Sequence, residues 1–413
     1  MEDMKGANNQ RVKSMNRLTV LQYIRSFGPI SRAELSERTH LSFTAVKNMI
    51  ADLVDCDLIS ESGYDLSTGG RKPVLYKLRH DRYYSVGVHL SISHIRVAIL
   101  DLEGKSLIQY ETDTNHDTFQ TSAILSQLIS CIEEAINQSG VERTKILGIG
   151  MGIPGPLDPF NGVVLSPPNI KGLESVPLKQ IISDRFGMMT YIEKDANLIA
   201  LAEFWYGAGQ GNSNIFYLDA DAGIGSGLII DGDLYYGYPF GAGEVGHSTI
   251  NIDGPRCNCG NYGCLEAVAS GLAIIRRVGE EIRRGAESAM RQKYLDSEDL
   301  VTLDTILNYA EDGDPMAIQI LHESGRYVGI AIANVINLLL PEVVIIGGTL
   351  TNRYKPYFSQ VRDIALNRIF TSFVKNITIK PAELGMFGGA IGAGTLVLEQ
   401  FFTKGFNELI EKS

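Results

Sequence analysis

The chain has 413 residues, 44% of them hydrophobic, a formal net charge of −11 and five cysteines. That length supports two or three domains, the composition is not that of a disordered segment, and an acidic total argues against nucleic-acid binding by the whole surface. No apolar run approaches the roughly 20 residues needed to cross a bilayer, which predicts a cytoplasmic protein with no membrane partner.

The charge is uneven. Residues 1–80 carry 12 Lys and Arg against 9 Asp and Glu, leaving 25 against 39 for the remainder, the pattern of a small basic module on an acidic body. Within residues 1–80 a winged helix-turn-helix is predicted. A first helix over about Met15–Ser26 is closed by Gly28-Pro29. Ser31 and Glu34 form a capping box for a short helix ending near Thr39. Ser42 then caps a third helix in which Val46, Met49, Ile50, Leu53 and Val54 make one apolar stripe. Thr44, Lys47 and Asn48 lie on its other side near its start, where a recognition helix faces base edges. Two strands, 58–61 and 74–78, flank a glycine-rich tip in which Arg71 and Lys72 are placed for phosphates or a minor groove. Ser42, Thr44, Lys47, Asn48, Arg71 and Lys72 are the candidate DNA contacts. A small helical protein-interaction domain with a basic hairpin is the alternative.

The remainder, residues 81–413, reads as an α/β body built twice. Residues 85–90 and 214–219 are buried-strand patterns, each followed by a tight turn, a second strand (95–100 and 227–230) and a polar turn. Such a repeat is the mark of a duplicated, two-lobed fold with a cleft between the lobes. The first lobe is expected over 81–195 plus the C-terminal helix, the second over 196–385.

The densest motif is Gly243-Glu244-Val245-Gly246-His247 followed by Cys257-Asn258-Cys259-Gly260-Asn261-Tyr262-Gly263-Cys264-Leu265-Glu266. With no secretory leader, thiols are expected in place of disulfides. His247, Cys257, Cys259 and Cys264 make a closed Cys3His set that suits a structural Zn2+ in a tetrahedron. Gly260 and Gly263 free the backbone to gather the sulfurs. Three thiols brought together in a loop without a metal are the alternative. Glu244 and Glu266 would be fixed beside the imidazole, where oriented carboxylates suit sugar hydroxyls; as the bland reading, both are solvated loop acids.

These two segments resemble the signature of the ROK family (repressors, open reading frames and sugar kinases). The resemblance covers about residues 83–400 and includes Gly152-Ile153-Pro154-Gly155-Pro156-Leu157-Asp158, Pro168-Asn169, Glu193-Lys194-Asp195-Ala196-Asn197 and Val344-Ile345-Ile346-Gly347-Gly348. It implies an actin-like (ribonuclease H-like) fold with a sugar in the cleft, touched by Asn169, Asp195, Glu244, His247 and Glu266. Asp195 matches the catalytic base of the family's kinases, which usually carry Asn where this chain has Lys194. The amino-terminal module resembles the DNA-binding head of the family's repressors.

The nucleotide-binding turns depart from the kinases. His89-Leu90-Ser91-Ile92-Ser93-His94 stands where they have an Asp and a Gly-Gly-Thr, with Ile92 at the expected phosphate position. In Asp221-Ala222-Gly223-Ile224-Gly225-Ser226-Gly227 the glycines persist, but Asp221-Ala222 replaces Gly-Thr. Phosphoryl transfer depends on positioning and charge neutralisation at these places. The expected function is therefore a sugar-responsive transcriptional repressor with no catalytic residues. It would bind a palindromic operator as a homodimer or dimer of dimers and release it on binding a monosaccharide. Head, wing and sugar motifs together resemble the family's xylose repressors somewhat more than its N-acetylglucosamine repressors. An ATP-dependent sugar kinase with a regulatory head is the alternative.

Overall fold

The computed structural model describes residues 2–64, 72–114, 120–167, 170, 172–370, 372 and 377–405. Arg71 and Asn169, both expected to touch ligands, lie outside them.

The amino-terminal part has three helices, α1 (Glu2–Phe27), α2 (Arg32–Thr39) and α3 (Phe43–Asp55), and a three-stranded sheet of β1 (Ile30–Ser31), β2 (Ile59–Tyr64) and β3 (Val74–Leu78) in the order β1-β3-β2. The Ser31/Glu34 capping box forms in full, and the Ser42 hydroxyl accepts from the Ala45 amide. Val46, Met49, Ile50 and Leu53 are buried, but Val54 is 41% exposed and falls outside the expected stripe. Helix α1 starts well before Met15: no proline precedes Pro29, and Gly6 near its start does not break it.

The body begins with β4 (Tyr84–Leu90), β5 (His94–Asp101), β6 (Ser106–Asp113), α4 (Thr121–Ser139) and β7 (Ile146–Ile153). A small ladder of β8 (Leu157–Asp158) and β9 (Val163–Val164) follows, then α5 (Leu178–Phe186), β10 (Thr190–Lys194) and α6 (Asp195–Tyr206). The second half has β11 (Ile215–Ala220), β12 (Ile224–Ile230), β13 (Asp233–Leu234), and helices α7 (Leu265–Ala269), α8 (Gly271–Arg283), α9 (Arg291–Asp296), α10 (Leu303–Glu311) and α11 (Pro315–Leu339). It ends with β14 (Val343–Gly347), α12 (Thr349–Arg353), α13 (Lys355–Leu366), β15 (Thr378–Pro381) and α14 (Gly388–Gln400).

The two five-stranded sheets, β10-β7-β4-β5-β6 and β15-β14-β11-β12-β13, have the same order. In each, the first strand in chain order pairs antiparallel with the second and parallel with the fourth. The duplication read from the sequence is thus a duplication of topology. β4 and β14 are buried almost throughout, as strands covered on both faces must be.

Helices α6 and α14 pack against each other and on the sheets at backbone distance. A Cβ on Gly392 would fall 1.8 Å from the Leu198 carbonyl oxygen, and one on Gly87 would fall 1.9 Å from that of Ala390. The amino-terminal elements are not loosely attached. Val20, Leu21, Ile24, Ile50 and Leu53 share one apolar cluster with Leu102, Leu398, Phe401 and Phe402 of the body. Among the described residues no helix is long and apolar enough to cross a membrane.

Candidate ligand cleft and metal centre

Helix α6 begins with Asp195, whose Oδ1 accepts from the Ala196 amide at 2.8 Å. Strand β12 runs beside it because two glycines permit contact: a Cβ on Gly227 would lie 2.7 Å from the Ala196 carbonyl oxygen, and one on Gly225 would lie 3.0 Å from the Ala196 Cβ. This corrects the reading of residues 221–227 as one glycine-rich turn. The strand starts at Ile224, and Gly225 and Gly227 serve its packing on α6.

The segment 243–247 lies along the start of β12. Cβ atoms on Gly243 and Gly246 would come within 2.8 Å of the Ser226 carbonyl oxygen and 2.1 Å of that of Ile224. The His247 amide donates to the Glu244 carbonyl at 3.0 Å, and the Cys264 thiol to the His247 carbonyl at 3.3 Å. Glu266, in the first turn of α7, accepts the Ile224 amide at 3.1 Å. Glu244, His247 and Glu266 are thereby knit onto the start of β12. Lys194, the residue before Asp195, reaches Glu244 Oε1 at 2.9 Å. Of the expected ligand set, four residues are linked through this chain of contacts.

His247, Cys257, Cys259 and Cys264 place four ligand atoms within 4.8 Å of one another, a cluster that can hold a metal ion. Cys259 Sγ is 3.7 Å from Cys264 Sγ, and Cys257 Sγ is 3.7 Å from His247 Nδ1. No disulfide links them. The knot depends on glycine at Gly263, where φ is +65° and a Cβ would fall 1.7 Å from the Asn251 carbonyl oxygen. Gly260, with φ +93°, turns the chain between Cys259 and Asn261.

Several polar groups of the two turns are bonded within or beside them. In the first, the Ser91 amide and hydroxyl both donate to the His94 carbonyl, at 2.8 and 3.0 Å, and Ile92 packs on the core of the first half. His89 is buried, its Nε2 3.9 Å from Asp195 Oδ2. Its ring occupies space that only a glycine at 389 leaves open: a Cβ there would lie 2.6 Å from the imidazole. In the second turn, the Ala222 amide donates to Asp221 Oδ1 at 2.9 Å and the Ile224 amide to Glu266. Two amides of this turn are thus held by carboxylates.

Asp219 stands beneath this turn and accepts from the Tyr217 hydroxyl at 2.8 Å. Burial, and then the charge of Asp221, pushes its carboxyl up to about 7. The fold therefore favours the neutral acid. The stability it lends is complete below the ordinary carboxylate range and is lost as pH rises through about 7. Asp219→Asn, neutral at every pH, should raise the melting temperature more at about pH 8 than at about pH 5. Equal shifts at both pH values in thermal melts would contradict this.

In the amino-terminal part, Ser42, Thr44, Lys47 and Asn48 are exposed along the start of α3, and Lys72 is exposed before β3. Arg17 of α1 bonds Asp52 through Nε at 2.7 Å and fixes α3 from behind. Two contacts escaped the sequence reading. Lys194 and Glu244 are 50 positions apart, and nothing local pairs them. Arg25 of α1 lies 4.5 Å above the Trp205 ring and 4.6 Å from that of Phe402, and donates to the Tyr206 hydroxyl at 3.1 Å.

The sequence profile of the ROK family matches residues 85–400, most of the chain. The chain belongs to the ROK family. Among its ROK relatives is the xylose repressor of Caldicellulosiruptor bescii, 31% identical over 96% of this chain and 98% of that protein. A crystal structure of a ROK family transcriptional regulator, a homologue of the E. coli MLC protein, superposes with a TM-score of 0.81 at 27% identity, covering 97% of this chain and 98% of the other. A ROK family glucokinase from Streptomyces griseus, solved with glucose and AMPPNP, gives a TM-score of 0.68 at 28% identity and spans 98% of its own length but 76% of this chain. The body is thus an α/β unit with the ROK sugar-kinase fold.

Proposed function

We propose that this ROK protein is a sugar-responsive transcriptional repressor of carbohydrate-utilisation genes. Residues 1–80 form its winged helix-turn-helix, and residues 81–413 its sugar-sensing body. The observation that carries the reading is the course of α6. The helix starts at Asp195 in the cleft and ends at Trp205 and Tyr206, against which Arg25 of the amino-terminal unit packs. Its 12 residues span about 18 Å. A ligand at one end and the DNA-binding unit at the other therefore act on one rigid element.

Asn169, Asp195, Glu244, His247 and Glu266 bind the monosaccharide. His247 serves two partners, one ring nitrogen toward the metal and the other toward a hydroxyl. The metal is a structural Zn2+. Ligands at about 2.3 Å from a tetrahedral centre lie about 3.8 Å apart, which the 3.7 Å sulfur–sulfur spacing of Cys259 and Cys264 fits. Three thiolates and an imidazole close the coordination sphere, so the zinc holds shape. Ser42, Thr44, Lys47, Asn48, Arg71 and Lys72 contact a palindromic operator, read by a dimer whose two-fold axis matches the DNA.

Phosphoryl transfer is not supported by the turns. A polyphosphate would have to displace Asp221 and Glu266 from the amides they occupy, beside a third acid, Asp219. Full resemblance to the regulator, and a glucokinase match that spans 76% of the chain, support the same reading.

Sugar binding shifts DNA affinity only by favouring one arrangement of the body over another. Release of operator by sugar is the expected sign. Asp195→Asn removes a charge-assisted hydrogen bond worth about 1.5–3 kcal/mol. It should bind operator normally and need about ten- to a hundredfold more sugar for release. Fluorescence anisotropy of labelled operator against D-xylose and D-glucose measures this. Release at the original sugar concentration would remove Asp195 from the site.

A further inference from the structure

Lys194 closes β10 and stands at the start of α6. Its stem lies over Gly155, where a Cβ would come within 3.3 Å of Cδ. Its ammonium ends 2.8 Å from the Ala242 carbonyl oxygen and 2.9 Å from Glu244 Oε1. The Lys194 side chain is 11% exposed and that of Glu244 49%. A cation so well covered is costly unless its protons are matched. Lys194 ends a strand of the first sheet and Ala242 and Glu244 follow β13 of the second, so the pair crosses from one half of the body to the other.

We propose that Lys194 is a positioning and specificity residue of the cleft. It holds Glu244 with one carboxylate oxygen left for the ligand and directs its third N–H to a ligand oxygen, so that the cleft takes an uncharged sugar and rejects a phosphorylated one. This rests on the reading of the cleft as a sugar site.

The chemistry favours a donor beside the carboxylates, in addition to those of Asn169 and His247. A sugar hydroxyl both donates and accepts, whereas ionised Asp195, Glu244 and Glu266 only accept. An ammonium has three protons, and among the described residues two are taken, by Ala242 and Glu244. The third matches a hydroxyl lone pair. Charge sets the class of ligand. Glu244 already balances Lys194, and Asp195, Glu266 and Asp221 leave an excess of acids there, with Asp221 close enough to raise Asp219. A phosphate monoester would bring about two more negative charges into that field.

Calorimetric titration of the full chain with D-glucose, D-xylose and their phosphates, glucose 6-phosphate and xylose 5-phosphate, tests this. Whichever free sugar binds should bind at least about tenfold more tightly than its phosphate. Lys194→Met should weaken the free sugar about ten- to a hundredfold. Lys194→Arg, which keeps charge and donors, should recover part of that loss. The melting temperature without sugar should stay close to that of the unsubstituted protein, because half-exposed Glu244 can be hydrated once released. Adding Glu244→Gln to Lys194→Met should cost less than Glu244→Gln alone, since the two act on one contact.

Unchanged sugar affinity in Lys194→Met would overturn the inference. So would a phosphate ester binding as tightly as its sugar, or a joint fall in melting temperature and affinity that Lys194→Arg does not reverse. Asp195→Asn, run in parallel, separates the two levels. If it weakens binding while Lys194→Met does not, only the role of Lys194 fails. If neither matters, or no sugar binds the unsubstituted protein, the cleft reading fails with it.

Discussion

Cys259→Ser is expected to abolish zinc binding and, with it, the response to sugar. Cys259 is the most exposed of the three thiols, so its replacement leaves no cavity in a core. What it removes is a ligand. A three-ligand remnant opens the site to water and lowers affinity steeply, and structural zinc of this kind can contribute about 10 kcal/mol to local folding. The loss reaches the cleft through short connections. Glu244 is hydrogen-bonded to the amide of His247, and Glu266 follows Cys264 by two residues and holds the Ile224 amide. Metal analysis should find about one zinc per unsubstituted chain and none in the variant, whose sugar affinity should fall below detection. Operator binding should persist, because the amino-terminal cluster of Val20, Leu21, Ile24 and Phe402 does not include the knot. Full zinc occupancy in Cys259→Ser would remove the metal assignment.

The second large effect is expected at α3. Replacing Thr44, Lys47 and Asn48 together with alanine should lower operator affinity at least about a hundredfold, since each lost base contact costs about 1–3 kcal/mol. All three side chains are exposed on the face opposite Val46, Met49, Ile50 and Leu53, so the fold should be untouched. Substitution is the right form of the experiment. Deleting residues 1–80 would uncover Leu102, Leu398, Phe401 and Phe402, which share the amino-terminal core, and would confound DNA binding with stability. Electrophoretic mobility shifts with the triple variant, alongside an unchanged melting temperature, would establish the role. Undiminished affinity would place the DNA interface elsewhere.

Much of the fold was legible because its signals are local. The Ser31 cap, the α3 stripe and the paired β4–β5 and β11–β12 patterns each lie within a few residues, and each forms close to where it was read. The Cys3His cluster was equally legible, because its spacing and glycines confine it to one loop. Boundaries failed where two signals compete. Gly225 and Gly227 look like a phosphate turn, but in three dimensions they are the surface on which Ala196 and Ala200 pack. The long-range pairings were invisible for a simpler reason. Nothing near Arg25 announces Trp205, and nothing near Lys194 announces Glu244; only the folded topology brings them together. These contacts are the ones that join the cleft to the amino-terminal unit and one half of the body to the other.

The central claim is that sugar bound beside Asp195 controls DNA binding through α6 and Arg25. The most direct test is the affinity of the full chain for its operator, selected from random DNA, with and without saturating sugar, in the unsubstituted protein and in Arg25→Ala. Sugar should lower the operator affinity of the unsubstituted protein at least about tenfold. Arg25→Ala, which severs the contact with Trp205 and Tyr206 without touching the cleft or α3, should bind operator and sugar but lose most of that difference. Operator affinity indifferent to every sugar that binds the unsubstituted protein, or an undiminished response in Arg25→Ala, would contradict it.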